Sequence, residues 1–224
     1  HMDRVAGAPP DMYAEDGQNW GFPTYNWHAL AEEGHAWWRQ RLALAERAYH
    51  LYRIDHIVGF FRIWTIPHGE RSGRNGWFEP HDEATWGAHG RGILQMMLDA
   101  SDMLPLGEDL GTIPHVCRDT MSALGICGMK VDRWERRWEG DRGHIDPGDF
   151  PELSLATLST HDSETLAGWW EAPATRQDVQ LFYETLGGQG PAPERLPADL
   201  HVRIVQRMSR ARSAIVIHMM QDLL

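Results

Sequence analysis

The segment LYRID, residues 51–55, is a short apolar run that ends in an acid, Asp55. Two further segments have the same form, MLPLGE ending at Glu108 and LATLSTHD ending at Asp162. Short apolar and β-branched runs are typical of buried parallel strands, and ligands bind at the carboxyl ends of such strands. We therefore predict three successive strand ends that each present a carboxylate, an arrangement suited to acid/base chemistry.

Helical patterns alternate with these strands. Apolar spacing and cap signals predict helices over residues 27–49, 84–100, 112–125, 163–170, 176–186 and 200–212, and further short strands at 128–131 and 214–217. The strand-then-helix order predicts an α/β fold with parallel strands and crossover helices, part of a (β/α)8 TIM-type barrel. Only about five of the eight barrel strands are visible, so we expect the others to lie upstream.

Residues 3–224 are predicted to form one globular unit, with His1-Met2 read as a cloning scar. Residues 6–25 are rich in Gly, Pro and aromatic side chains without periodicity. This composition predicts a long ordered loop, and such loops are usually functional.

Composition narrows the partners and the compartment. The net charge is −11 and no basic stripe is present, which argues against a nucleic-acid partner. The longest strongly apolar stretch, residues 214–220, is too short to cross a bilayer, so no membrane partner is expected. Two cysteines without metal-type spacing indicate a reducing compartment, by default the cytoplasm. We expect no metal site and no cofactor.

The residues around the first two acids suggest distinct roles. Arg53 lies two positions before Asp55, so both side chains project from the same face of a strand, and the guanidinium favours an ionised, nucleophilic carboxylate. A general acid must hold a proton near neutral pH, which burial or a neighbouring carboxylate would favour at Glu108. The structural alternatives are an ordinary strand-end ion pair at Asp55 and an acidic turn at Glu108.

The third acidic motif and the tryptophans point to a carbohydrate. Asp162 and His161 could hold sugar hydroxyls, although Asp162 or Ser163 could equally cap a helix. The chain has 11 tryptophans, and four of them, Trp20, Trp64, Trp77 and Trp134, fall in predicted loops. Packing is the commoner role of any one tryptophan, but loop aromatics also provide flat platforms for the apolar face of a sugar ring.

Five motifs together resemble the 4-α-glucanotransferases, the amylomaltase or disproportionating-enzyme family (glycoside hydrolase family 77). They are GAPPDMYAEDGQNWG, YRIDHIVGFFRIWTIP, GEDLGTIP, GMKV and STHDSETLAGWW, in family order. The resemblance implies that Asp55 is the nucleophile, Glu108 the general acid/base and Asp162 the acid that stabilises the transition state, supported by Arg53 and His161.

The first motif resembles the family's substrate loop, which implies substrate contacts by Asp11, Gln18 and Trp20. Met12 stands where many members carry an aromatic residue, although Tyr13 follows it. The resemblance implies a truncated catalytic domain with about strands 4 to 8 of the barrel. Open sheet edges then predict self-association.

The implied activity is retaining transfer of an α-1,4-glucan segment to an acceptor glucan or glucose through a covalent glycosyl-enzyme intermediate. Its substrates would be α-1,4-glucans and maltooligosaccharides. A retaining site requires the two reacting carboxyl groups to lie roughly 5 to 5.5 Å apart. Two alternatives remain open at the level of sequence, an α-amylase-type hydrolase and a non-catalytic glucan-binding fragment.

Overall fold

The computed structural model describes residues 3–11 and 14–223. The predicted cloning scar and the positions of Met12 and Tyr13 lie outside the described residues. The chain divides into two compact units, of which the first extends to Ile126 and the second begins at Cys127. Each unit contains both helices and strands.

The first unit contains six strands and four helices among its described residues. In chain order they are β1 (Arg4–Ala8), β2 (Gln18–Pro23), α1 (Trp27–Glu32), α2 (Ala36–Ala45), β3 (Leu51–Ile54), β4 (Ile63–Pro67), β5 (Trp77–Glu79), α3 (Trp86–Leu98), β6 (Leu104–Gly107) and α4 (His115–Ala123). Strands β3 and β6 pair in parallel, whereas the other four form an antiparallel sheet in the order β2-β1-β4-β5. The buried side chains of α2, α3 and α4 join those that follow β3 in one apolar core.

The predicted loop over residues 6–25 is wrong at both ends of the segment, because residues 6–8 and 18–23 belong to the β1–β2 pair. Val5 and Ala6 of β1 are buried, and β1 pairs antiparallel with β4 as well as with β2. Gly7 permits the close pairing, since a Cβ atom there would lie 2.0 Å from the carbonyl oxygen of Gln18. The glycines and prolines that suggested a loop are therefore compatible with a tight antiparallel sheet.

Two of the predicted helices differ from the structure in how they are interrupted or capped. The helix predicted over 27–49 is divided into α1 and α2, because Gly34 and His35 both adopt left-handed φ angles of 62° and 56°. A left-handed residue ends an α-helix. The helix predicted over 163–170 begins at Leu166, where the Thr165 hydroxyl oxygen accepts the N–H of Gly168 at 3.0 Å. The cap is Thr165 rather than Asp162 or Ser163.

The second unit is built on parallel strands joined by helices. Its elements are β7 (Cys127–Val131), β8 (Ser154–Thr157), α5 (Leu166–Glu171), α6 (Arg176–Thr185), α7 (Ala198–Arg207) and β9 (Ile215–Ile217). Strand β8 pairs in parallel with β7 and with β9. The three helices pack against one another through buried apolar residues such as Trp170, Phe182 and Ile204.

A buried ion pair joins the end of β7 to α7. Asp132 follows β7 with an exposed fraction of 0%, and its two oxygens accept N–H groups of Arg207 at 3.2 and 3.3 Å. Burial raises the pKa of Asp132 to about 6, although Arg207 opposes the shift. Breaking one partner of such a pair costs about 3–5 kcal/mol, so the pair is a structural constraint on this unit.

His144 is a second buried titratable group of this unit. It is 2% exposed, packs edge-on against Phe182 and faces the backbone oxygen of Arg133 through Nε2. Burial lowers the pKa of His144 from 6.5 to about 4, and the charge of Arg136 lowers it further. The folded chain therefore holds this imidazole neutral at pH 7.

We expect the second unit to lose stability in acid through His144. The unfolded chain protonates this residue below its ordinary pKa of 6.5, whereas the folded chain resists protonation until pH falls to about 4. The stabilising contribution is therefore complete above pH 6.5 and lost as pH falls through about 4. Linkage gives a loss of about 2–3 kcal/mol by about pH 4.5.

Chemical unfolding of wild type and His144→Gln from neutral pH to about pH 4.5 measures this effect. Asp132 titrates in the opposite sense, contributing stability in acid that is lost as pH rises through about 6, and the comparison with the variant removes its contribution. The difference in unfolding free energy between the two proteins should shrink toward acid. A difference that is constant with pH would contradict the assignment to His144.

Candidate active site

The carboxyl ends of β3 and β6 bring two of the predicted catalytic acids to neighbouring positions. In the parallel pairing, Ile54 lies opposite Gly107, and the next residues along the two strands are Asp55 and Glu108. Neighbouring strands lie about 4.8 Å apart, and residues at matching positions project from the same face of a sheet. The first unit thus presents two carboxylates side by side at the carboxyl ends of β3 and β6.

Glu108 is held in place by backbone groups of both strand ends. Its Oε2 accepts the N–H of His56 at 2.8 Å and its Oε1 accepts the N–H of Leu110 at 2.9 Å. Its own N–H donates to the carbonyl of Ile54 at 2.9 Å, and its carbonyl accepts the N–H of Ile57 at 3.1 Å. The side chain is half-buried, so its orientation is fixed with little freedom to swing.

Asp55 is the more exposed of the two acids. Its side chain is 74% exposed, and Oδ1 lies 2.5 Å from Nη1 of Arg53. Arg53 lies on β3 two residues earlier, so the ion pair runs along one face of the strand. The Asp55 carboxylate is therefore accessible to a ligand and is held in orientation by the Arg53 guanidinium.

His56 is a site residue whose conformation the sequence did not indicate. It adopts a left-handed backbone conformation, with φ of 46°, which is uncommon for a residue other than glycine. This conformation accompanies the bond from its N–H to Glu108. Burial lowers the pKa of His56, with Asp55 opposing the shift. Non-glycine residues in strained backbone regions concentrate at functional sites.

Strand β2 places an indole ring near the carboxyl end of β3. Trp20 meets the His56 ring edge-on, with ring centroids 4.9 Å apart. Its Nε1–H donates to Oε1 of Gln18 at 3.0 Å, and its ring stacks with Phe22 at 5.9 Å. The structure therefore brings Gln18 and Trp20 together and places Trp20 next to the residue that follows Asp55.

Asp11 lies between β1 and β2. Its Oδ1 accepts the N–H of Ala14 at 2.7 Å, and its own N–H donates to the carbonyl of Ala14 at 3.1 Å. The residue is exposed. These two hydrogen bonds hold Asp11 to Ala14.

The predicted pair His161 and Asp162 lies in the second unit, on the segment between β8 and α5. The Nε2 atom of His161 lies 3.1 Å from Oδ2 of Asp162, and the two side chains are 57% and 78% exposed. Asp162 follows the last residue of β8 by several positions, so it lies in a loop rather than at the strand end itself. Both side chains are open to solvent and available to hydroxyl groups.

The prediction of three successive strand ends is wrong in one respect. Strand β7 comes between β6 and β8 in the chain, and it ends in an acid of its own, Asp132. Because Asp132 is buried and bound to Arg207, its carboxylate is not accessible to a ligand. The position of an acid at a strand end is therefore not sufficient to identify a site residue.

The other loop tryptophans serve different structural purposes. Trp64 lies on β4, where its Nε1–H donates to the carbonyl of Gly73 and its ring packs on Phe78. Trp77 lies on β5, and Trp134 is 39% exposed beside the guanidinium of Arg133. Among the described residues, no group of three or more His, Cys, Asp or Glu side chains is arranged to hold a metal ion.

Parallel strands alternating with helices, with exposed carboxylates after β3 and in the β8 loop, are the features of an α/β fold of the barrel class. A family model described as 4-alpha-glucanotransferase, glycoside hydrolase family 77, matches residues 1–224. The chain belongs to this family.

Curated relatives and a solved structure agree with the family match. A 4-alpha-glucanotransferase of Chlamydia caviae is 50% identical over 183 residues, which cover 81% of this chain and 33% of the relative. A 4-alpha-glucanotransferase of Chlamydia pneumoniae is 41% identical over 222 residues, which cover 99% of this chain and 40% of the relative. The amylomaltase of Streptococcus agalactiae in complex with acarbose superposes with a TM-score of 0.76 at 27% identity, covering 98% of this chain and 42% of that chain.

These similarities confirm the predicted fold class, a partial (β/α)8 barrel with parallel strands and crossover helices. The chain spans between 33% and 40% of the length of the two chlamydial relatives.

Proposed function

We propose that this chain carries the reacting carboxylates of a 4-α-glucanotransferase, which transfers a segment of an α-1,4-glucan to an acceptor glucan or glucose with retention of anomeric configuration. The observation that carries the proposal is the placement of Asp55 and Glu108 after paired residues of β3 and β6. Retaining enzymes need two carboxyls roughly 5 to 5.5 Å apart, and neighbouring parallel strands spaced about 4.8 Å apart can supply that separation. The family match supports the same assignment.

In the proposed first step, an oxygen of Asp55 attacks the anomeric carbon and forms a glycosyl ester. The glycosidic bond breaks as Glu108 donates its proton to the leaving 4-oxygen. The reducing-end part of the donor therefore departs as a neutral alcohol, while the rest remains on Asp55 as the ester. The backbone N–H groups of His56 and Leu110 orient the Glu108 side chain. The guanidinium of Arg53 contacts the attacking carboxylate at 2.5 Å and orients it.

In the second step, Glu108 takes the proton of the acceptor's 4-hydroxyl while that oxygen attacks the anomeric carbon. The ester bond breaks, Asp55 returns to the carboxylate form, and a new α-1,4 bond is complete. Transfer rather than hydrolysis requires an acceptor sugar held in attacking geometry in place of water. The indole of Trp20, fixed by Gln18, is suited to stack on such a sugar.

The remaining predicted residues have binding roles in this proposal. Asp162, assisted by His161, would accept hydrogen bonds from ring hydroxyls and bind most strongly when the sugar approaches the oxocarbenium-like transition state. Asp11, whose side chain accepts the N–H of Ala14, would also contact substrate. The substrates would be α-1,4-glucans and maltooligosaccharides.

Incubation with maltotriose, followed by chromatographic separation of the products, tests the proposed activity. A transferase converts maltotriose into a ladder of longer maltooligosaccharides plus glucose. Glucose and maltose in equal amounts would indicate hydrolysis and reject the acceptor assignment. If the chain alone gives no reaction, the same assay with the remaining part of the Chlamydia caviae relative added separates an incomplete site from an inactive one.

We also propose that the isolated chain self-associates through strand edges. Among the described residues, β3 has a strand partner only in β6, and β9 only in β8. Each strand therefore has one edge of backbone N–H and C=O groups open to pairing. Light scattering across a range of concentrations should show a mass that rises above the monomer, and a constant monomer mass would count against the proposal.

We place the proposed activity in the cytoplasm. Cys117 and Cys127 are both free thiols, and burial raises the pKa of Cys117 to about 12, so it is inert. Free cysteines are typical of reducing compartments. No helix within residues 3–11 and 14–223 is long and apolar enough to cross a membrane.

A further inference from the structure

Asp222 is a buried carboxylate that binds both ends of the segment carrying His161 and Asp162. It is 1% exposed. One oxygen, Oδ1, accepts the N–H of Leu166 at 2.7 Å, and the other, Oδ2, accepts the hydroxyl of Ser159. A single side chain thereby closes the segment 159–166 into a loop.

The carboxylate is itself fixed by the rest of the second unit. Asp222 ends a short 3₁₀ turn, Met220–Asp222, and its backbone oxygen accepts a hydrogen bond from Nε2 of His201 at 2.6 Å. His201 belongs to α7, the helix that also provides Arg207 to the end of β7. The position of the 159–166 segment therefore depends on α7.

Arg133 holds the middle of the same segment from the end of β7. It is 3% exposed, and its Nη2 donates to the carbonyl of Glu164 at 2.9 Å. Its positive charge interacts with Asp222 and Glu164, which oppose the lowering of its pKa by burial. A buried cation and a buried anion thus act on one segment from two sides.

The contrast in burial along this segment identifies what the anchors hold. Ser159 is 1% exposed and Leu166 2% exposed, whereas the side chains of His161 and Asp162 between them are 57% and 78% exposed. Inside the segment, the Thr160 N–H donates to Ser163 Oγ at 2.9 Å. Fixed ends and a short internal turn restrict where the exposed carboxylate can lie.

We propose that Asp222 is a positioning residue that sets the geometry of Asp162 for glycosyl transfer. The inference rests on the proposed function, because only a transferase or hydrolase requires Asp162 in a fixed position. Displacing a group by about 1 Å can lower a rate about 10²-fold, so loss of both anchor bonds should act mainly on kcat. A role limited to stability would instead lower the folded fraction without a selective effect on this segment.

Three variants separate these roles. Asp222→Ala removes both acceptors, and Asp222→Asn keeps one oxygen for the Leu166 N–H. Val179→Ala removes buried volume from α6, outside the segment, and leaves both Asp222 acceptors in place. Hydrogen–deuterium exchange of peptides covering 159–166 is measured together with kcat and KM on maltotriose, at temperatures where Asp222→Ala and Val179→Ala are equally folded.

Asp222→Ala should accelerate exchange in this segment at least about tenfold and lower kcat about 10- to 100-fold with KM changed by less than about threefold. Asp222→Asn should recover part of both effects, whereas Val179→Ala should show neither. Equal exchange and equal kcat in Asp222→Ala and Val179→Ala would overturn the proposal. If Asp222→Ala does not fold, Asp222→Asn and Ser159→Ala decide by the same two measurements.

Failure of the proposed function gives a different pattern. A wild-type protein that neither transfers nor hydrolyses maltotriose, even with the remaining part of the Chlamydia caviae relative added, rejects the activity. The exchange comparison still reports whether Asp222 fixes the 159–166 segment, and unchanged exchange there overturns the positioning role by itself.

Discussion

Asp55→Ala should reduce glucan transfer by about 10⁴-fold or more, the scale on which removal of a covalent nucleophile acts in other enzymes. The alanine methyl group has no oxygen that could form the glycosyl ester, so no side chain at this position can attack the anomeric carbon. Because the Asp55 side chain is 74% exposed and its partner is Arg53, the fold should lose little stability. Initial rates on maltotriose and a thermal melt of the same preparation measure both effects.

Asp119→Ala is the matched control for this variant. Asp119 is an exposed carboxylate on α4 of the same unit. Its removal changes the net charge equally and leaves the carboxyl ends of β3 and β6 unaltered. It should retain transfer within about twofold, since surface substitutions of this kind have small effects. Glucan affinity should survive in Asp55→Ala. If Asp55→Ala transfers glucan at the wild-type rate, Asp55 is not the nucleophile, and a binding role for the carboxyl ends of β3 and β6 is favoured.

Glu108→Gln should lower transfer from maltotriose by about 10²- to 10⁴-fold, the range that general acid/base groups contribute. A glutamine cannot donate the proton that the leaving oxygen needs. In a maltotriosyl fluoride donor, the fluoride ion leaves without protonation. The rate of the first step on that substrate should therefore fall much less. The glycosyl ester should then accumulate, because no base activates the acceptor, and mass spectrometry of the intact protein would detect it on Asp55.

The same substitution also disturbs the structure, and this effect must be measured separately. Both Glu108 oxygens accept backbone N–H groups, from His56 and Leu110. An amide has one oxygen, so one of these N–H groups loses its acceptor at a cost of about 1–3 kcal/mol. Assays well below the lowered melting temperature remove this contribution. If the fluoride and maltotriose rates fall equally in Glu108→Gln, its role as a general acid is wrong.

Local pattern was sufficient to predict the parallel strands and the acids that follow them. Strands β3 and β6 are short apolar runs whose limits the sequence displays directly. The ion pair between Arg53 and Asp55 also follows from the two-residue repeat of a strand. These features depend on neighbours within a few positions.

Features that depend on distant partners could not be predicted. Strand β1 forms because it pairs with β4, where Val5 lies opposite Ile66, and no local signal announces that partner. The contacts of Asp222 reach back 63 and 56 residues, to Ser159 and Leu166. The left-handed backbone of His56 is set by the bond to Glu108, whose donor and acceptor are 52 residues apart.

The ion pair between Asp132 and Arg207 also has a consequence for synthesis on the ribosome. The two residues are 75 positions apart. Until α7 has left the exit tunnel, the carboxylate after β7 has no guanidinium, and desolvating an unpaired charge is unfavourable. We therefore expect the second unit to pack around β7 only after α7 has been translated, so that this packing is completed late in synthesis.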